Sequence, residues 1–243
     1  MKKSIILVLL YLLIQSIAAL GLALGLGIMP QEPSNQEEWA TIIALLLADV
    51  VMGGILIWKG YLSDRQLWNP TTATCLGWTI VAGSSAIFIA DAISSLADFL
   101  PDWLENTFSN IETNWAGILA IAIVGPILEE MLFRGAITTT LLKTYSPKKA
   151  IIYSALIFGF FHLNPAQILV ATLLGLLLGW LFYKTHSLIP CIIVHILNNS
   201  LSVYLSQAYP KAESFQDIIG LVPYFVCLTI AVLLLALAIK KLK

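Results

Sequence analysis

The chain has 243 residues, of which 59% are hydrophobic and 11% charged, with a formal net charge of −1. Soluble domains carry roughly 25% charged residues, and nucleic-acid binders carry a basic face. Composition therefore argues against both classes and for a polytopic membrane protein, in keeping with a mean hydropathy of +0.89.

Hydropathy predicts an all-α transmembrane bundle of about eight spans. In chain order they cover 4–29, 39–57, 76–96, 115–142, 150–163, 166–183, 188–204 and 218–239. The first follows Met1-Lys2-Lys3 and is too long for a signal-peptide core of about 7–15 residues, so it reads as a membrane helix. The fifth is short, ends at Asn164-Pro165, and is expected to join the sixth by a tight turn.

Loop charges alternate along the chain. Lys2 and Lys3 precede the first span, and Glu32, Glu37 and Glu38 follow it. Lys59, Asp64 and Arg65 follow the second, and Asp98, Asp102, Glu105 and Glu112 the third. Lys143, Lys148 and Lys149 follow the fourth, and Lys184 the sixth. Lys211, Glu213 and Asp217 give a mixed loop after the seventh, and Lys240, Lys241 and Lys243 close the chain. The positive-inside rule then puts both termini in the cytoplasm, with the cell membrane as the expected location.

A single domain over 1–243 is expected, with no solenoid repeat. Trp39, Trp58, Trp68, Trp78, Trp103 and Trp115 fall near span boundaries, as interfacial belts do. Gly21/Gly25 and Gly175/Gly179 have the spacing of close helix packing. Cys75, Cys191 and Cys227 show no CxxC spacing and read as small buried apolar residues.

Against this background the intramembrane polar residues stand out. Glu129 and Glu130 are adjacent in an apolar stretch, with Arg134 one turn on. A charge at membrane depth costs roughly 2.5–3.5 kcal/mol on the lenient scale, and such residues mark functional sites. Glu129 lies about 21 Å along its span, and His162 and His195 fall within a turn or two of their span centres.

Helical spacing assigns provisional roles. Glu130 and Arg134 share a face as an ion pair, and Glu129, turned by about 100°, is free to point into a cavity. Pro126 should loosen the helix just before Glu129. Phe158 and His162 share a face, as do His195 and Asn199. A buried Glu can serve as general base, with His162 helping to deprotonate water. His195 and Asn199 offer two donors for an oxyanion. No GxSxG or HExxH motif competes.

The three motifs, Glu129-Glu130-xxx-Arg134, Phe158-xxx-His162 and His195-xxx-Asn199, resemble in order those of the CPBP intramembrane metalloprotease family. That family is also called Abi, or the CAAX prenyl endopeptidase type II (Ras-converting-enzyme-like) family. The resemblance covers about residues 117–206; the first three spans and the last carry no diagnostic residue. It implies an endopeptidase acting on a membrane-associated protein or peptide, lipidated or not, within the lipid bilayer. It further implies that Glu129 and His162 activate water, that His195 and Asn199 form the oxyanion hole, and that Glu130, Arg134 and Phe158 support them. The expectation is that no metal or other cofactor is required. Zinc held by Glu129, His162 and His195 is the alternative, although no HExxH pair places two ligands on one turn.

Two other classes stay open. One is a noncatalytic binding or bacteriocin-immunity protein on the same scaffold. The other is a proton-relay transporter using Asp49, Asp91 and Glu129, disfavoured by the lack of paired broken helices. Asp49 and Asp91 are expected to pair with polar groups in the bundle, Asn198 to be structural, and His186 to be an inert loop residue.

Overall fold

The computed structural model describes residues 1–26 and 35–242. The expected end of the first span at residue 29, Glu32 and Lys243 lie outside the described residues. The structure is built from helices: α1 (Lys2–Leu26), α2 (Asn35–Trp58), α3 (Ala73–Ser94), α4 (Glu105–Ile111), α5 (Trp115–Leu142), α6 (Pro147–Phe161), α7 (Pro165–Thr185), α8 (Leu188–Ala208), α9 (Phe215–Ile219) and α10 (Leu221–Lys241).

Among the described residues seven helices are long and apolar enough to cross a membrane: α1, α2, α3, α5, α7, α8 and α10. The fifth expected span is α6, with 15 residues and a length of about 22 Å, short of the roughly 30 Å hydrocarbon core. Asn164-Pro165 explains the stop, because a proline disfavours helical geometry in the residue before it. His162 therefore caps the end of α6 instead of lying near a span centre as expected. The eighth expected span divides at Gly220, whose φ of 82° separates α9 from α10.

The helix ends carry ordinary chemistry. Thr72, Asn114 and Ser187 accept hydrogen bonds from the first-turn amides of α3, α5 and α8. Pro147 and Pro165 open α6 and α7, where a missing N–H leaves nothing unsatisfied. Ser214 and Asp217 form a reciprocal capping box at α9. These bonds hold the Asp217 carboxyl below the usual range, with the Ser214 side chain contributing most.

Packing is closest between α6 and α7. A Cβ at Gly159 would fall 2.0 Å from Thr172 Oγ1, and one at Gly175 3.0 Å from Ala155 Cα. The Gly175/Gly179 pair thus packs as its spacing predicts, with Gly179 against Ile151. Gly21 and Gly25 do not: a Cβ on either meets nothing within 4 Å. Cys191 is buried as expected, but Cys227 is exposed on α10, on the apolar surface that lipid covers. Trp58, Trp103 and Trp115 are exposed near helix ends, as a headgroup belt requires.

Asp91 is spent on structure. Both its carboxylate oxygens lie 3.3 Å from the Phe215 N–H, and Phe88 stacks on Phe215 with centroids 4.7 Å apart. Together they pin α9 to α3. His186 ends α7 in a left-handed conformation.

Candidate active site

The helix carrying the first motif is irregular where the chemistry lies. Residues Ala120–Val124 and Met131–Thr138 wind as π-helix on either side of the segment Gly125–Glu130. The first wide turn closes where the Gly125 N–H reaches back five residues to the Ala120 carbonyl, immediately before Pro126. Thr138 and Thr139 donate their hydroxyls to the Phe133 and Arg134 carbonyls, at 2.8 and 3.0 Å. Such widened turns concentrate at functional sites. Here they bracket the two glutamates.

Glu130 and Arg134 are both fully buried. Arg134 Nη1 donates to Glu130 Oε1 at 2.5 Å, and Nη2 donates to the Gly175 carbonyl at 3.2 Å. The guanidinium also lies 4.7 Å from the centroid of the Phe158 ring. A buried ion pair repays its desolvation only when its remaining groups are also bonded; Gly175 and Phe158 supply part of that support, while Glu130 Oε2 and Arg134 Nε are buried without a hydrogen-bond partner.

Glu130 does more than brace its own helix. The same Oε1 lies 2.8 Å from His195 Nδ1. On the other side of the ring, His195 Nε2 is 3.7 Å from Glu129 Oε2, too far for a hydrogen bond but close for an ion pair. His195, 2% exposed, therefore sits between two carboxylates on α5. Glu129 Oε2 is buried with no hydrogen-bond partner, and its side chain keeps 17% of its surface open. Spacing had left Glu130 only the ion pair; its bond to His195 is a long-range contact.

His162 faces the same aromatic hub. Its Nδ1 is 2.9 Å from the Phe158 carbonyl, which can only accept, so Nδ1 carries the proton and neutral Nε2 is an acceptor. The Phe158 ring packs edge-on against Phe133, His162 and His195, at centroid distances of 4.8, 5.0 and 5.6 Å. Phe158 thus fixes both imidazoles and the guanidinium at once.

Asn199 lies one turn from His195, but its bonds run elsewhere. Its Nδ2 donates to the Ile121 carbonyl at 2.9 Å, and its Oδ1 accepts from Asn198 at 3.0 Å. Ile121 lies in the first π-segment, where a widened turn frees a carbonyl. One Asn199 N–H remains for a ligand. The structure thus gathers Glu129, Glu130, Arg134, Phe158, His162 and His195 around one point, with Asn199 tied to the adjoining turn of α5.

One feature escaped the sequence. Leu163, with φ of 53°, takes a left-handed conformation that L-residues resist by roughly 1–2 kcal/mol. Buried Asn164 holds this turn: its Nδ2 donates to Asp102 Oδ1 at 2.8 Å, and its Oδ1 accepts from the Trp103 N–H at 3.1 Å. The 101–104 loop thereby fixes the turn after His162. The buried Asn before Pro165 was the available signal.

Two cavities lie outside the site, neither of them lined by Glu129, His162, His195 or Asn199. A polar one of about 740 Å³, lined by Glu112, Thr113, Ser206 and Gln207 among others, opens two turns beyond Asn199 along α8. Burial raises the Glu112 carboxyl above its ordinary range, opposed by the Ser206 hydroxyl that donates to it. An apolar one of about 320 Å³, lined by Ile87, Leu173, Leu177, Trp180 and Leu235, has Asn198 in its wall. The chemistry of two imidazoles and a carboxylate suits zinc. Among the described residues, however, no three His, Cys, Asp or Glu side chains are grouped closely enough to hold a metal ion.

Fold and site define an integral membrane protein of the all-α class, with buried carboxylates and imidazoles converging at depth. Residues 111–201 match the family model described as Type II CAAX prenyl endopeptidase Rce1-like. The matched stretch contains all three motifs, and the family it describes is the one those motifs resemble. A putative membrane peptidase, YdiL, of Bacillus subtilis (strain 168) is 32% identical over 88 residues. The aligned stretch is 36% of this chain and 36% of that relative, about a third of its length. No solved structure matches.

Proposed function

We propose that the chain is an intramembrane endopeptidase that cleaves membrane-associated proteins or peptides with activated water. One observation carries the reading: Glu129 Oε2 is buried, without a hydrogen-bond partner, and 3.7 Å from His195 Nε2. An unpartnered carboxylate oxygen is costly at membrane depth; Glu130 Oε2 is unpartnered too, but Glu130 is fully enclosed, whereas the Glu129 side chain keeps 17% of its surface open.

In this mechanism Glu129 takes a proton from a water that also donates to His162 Nε2. The water oxygen bonds to the scissile carbonyl carbon, and the carbonyl electron pair moves onto its oxygen. Nδ1 of His195 faces Glu130, so the ring offers Nε2–H to that oxyanion only when both ring nitrogens carry a proton. The remaining N–H of Asn199 is the second donor. Collapse of the intermediate breaks the C–N bond, and the proton held by Glu129 passes to the leaving amine. Zinc chemistry is the competing reading; Glu129, His162 and His195 would have to draw closer together than they stand here to hold the ion, and whether activity survives chelation separates the two. In our reading the protein resides in the cell membrane with both termini cytoplasmic, which requires the short α6 to count as an eighth crossing beside the seven longer helices, and the apolar cavity beside Asn198 favours tails bearing a lipid chain.

The test is a map of new protein termini in membranes holding the native protein or Glu129→Gln, which keeps shape and removes the base. Termini unique to the native protein support the peptidase and name its substrates. Identical maps from equally expressed proteins overturn it in favour of a binding or immunity role.

A further inference from the structure

The family match begins at residue 111, yet the two N-terminal helices place a second polar pair beside the segments that carry Glu129 and His162. Asp49 on α2 is buried at 6% exposure and accepts a hydrogen bond from Tyr11 of α1, itself 2% exposed. Asp49 lies one turn before Gly53, where a Cβ would come within 3.3 Å of Leu128, the neighbour of Glu129. That close approach packs the stretch of α2 that follows Asp49 against the turn of α5 that carries the glutamates. Asp49 and Tyr11 both lie near enough to Glu129 for direct electrostatic interaction. The Tyr11 ring stacks on Phe161 at 5.3 Å, the residue before His162.

Neither residue is explained by packing alone. A buried carboxylate needs a partner, and Asp49 finds it in a tyrosine whose ring is clamped to the second motif. Of the groups near Glu129, Glu130, Arg134 and His195 bond one another, and His162 bonds a backbone carbonyl. Asp49 is the acidic group that α2 adds to this set.

We infer that Asp49, held by the Tyr11 hydroxyl, is a positioning residue that fixes the charge environment of Glu129. The inference rests on the peptidase reading for its catalytic consequence, but not for the coupling itself. It makes α1 and α2 part of the site: their packing on α5 and α6 sets the charged surroundings of Glu129.

Two variants separate the parts. Asp49→Asn removes the charge while its amide oxygen still accepts from Tyr11. Tyr11→Phe removes the hydroxyl while the ring still stacks on Phe161. The readout is infrared difference spectroscopy in liposomes, with the Glu129 carboxyl band assigned by its loss in Glu129→Gln. Alongside it runs kcat and KM for a substrate taken from the termini map. We expect both variants to shift the Glu129 band. We also expect kcat to fall about tenfold or more at unchanged KM, and the double variant to fall no further than the more affected single one. An unmoved Glu129 band in both variants overturns the inference, whatever the activity. If cleavage also stays dependent on Glu129, the peptidase reading survives that failure. A shifted band in a native protein that cleaves nothing supports the coupling and removes the peptidase reading instead.

Discussion

Helices α5 and α10 are both apolar enough to cross a membrane, and they live in opposite surroundings. Half of the most apolar stretch of α5 is buried within the protein, against 17% for α10. On α10, Val222 and Leu233 stand 73% and 65% exposed, where lipid replaces protein as the neighbour. On α5, Leu132, Phe133, Ala136 and Ile137 are wholly buried, and only α5 carries two adjacent carboxylates at mid-depth. Lipid tolerates any apolar side chain and punishes charge. Charge therefore marks which of two similar helices is enclosed, and hydropathy alone does not.

That contrast can be broken at its strongest point first. Glu129→Gln should lower turnover by about 100- to 10,000-fold while leaving thermal unfolding in detergent unchanged, because Glu129 Oε2 bonds nothing. Arg134→Ala should lower stability by about 3–5 kcal/mol, since it strands the buried Glu130 charge. Thermal unfolding of the purified protein reads this, and an unchanged midpoint would show that Glu130 does not depend on its ion pair. Asn199→Ala should cost about 100- to 1000-fold in kcat. A raised KM with unchanged kcat would assign Asn199 to ground-state binding instead. Gly159→Ala, which puts a methyl 2.0 Å from Thr172 Oγ1, should cost about 1–3 kcal/mol through overpacking and loosen α6 from α7. At the far end, Leu233→Val on α10 should stay within about 0.5 kcal/mol and leave turnover alone. A large effect there would mean that α10 has a protein partner in the membrane.

The sequence showed the site in outline because membrane depth makes polar residues conspicuous. Glu129, Glu130, His162, His195 and Asn199 could be picked out by that rule and by four-residue spacing. The bond between Glu130 and His195 could not, because it joins residues 65 apart and depends on which ring nitrogen faces α5. The π-turns were equally hidden: five-residue bonds leave no periodic trace in a helix apolar on every side, although Pro126 marked their neighbourhood. The short α6 was foreshadowed by Asn164-Pro165. The clamp from Asp102 to Asn164 was not, since loop-to-turn contacts follow no sequence period. Asp49 was visible as a buried charge, but its partner Tyr11 passed as one more aromatic in an apolar helix.

The most direct test is the single-turnover cleavage rate of a membrane-embedded substrate in proteoliposomes, after exhaustive chelation, for the native protein and Glu129→Gln. Water activated by Glu129 without metal predicts full native activity after chelation and at least about a 100-fold loss in the variant. Equal rates for the two proteins, or native activity lost on chelation and restored by zinc, would contradict it.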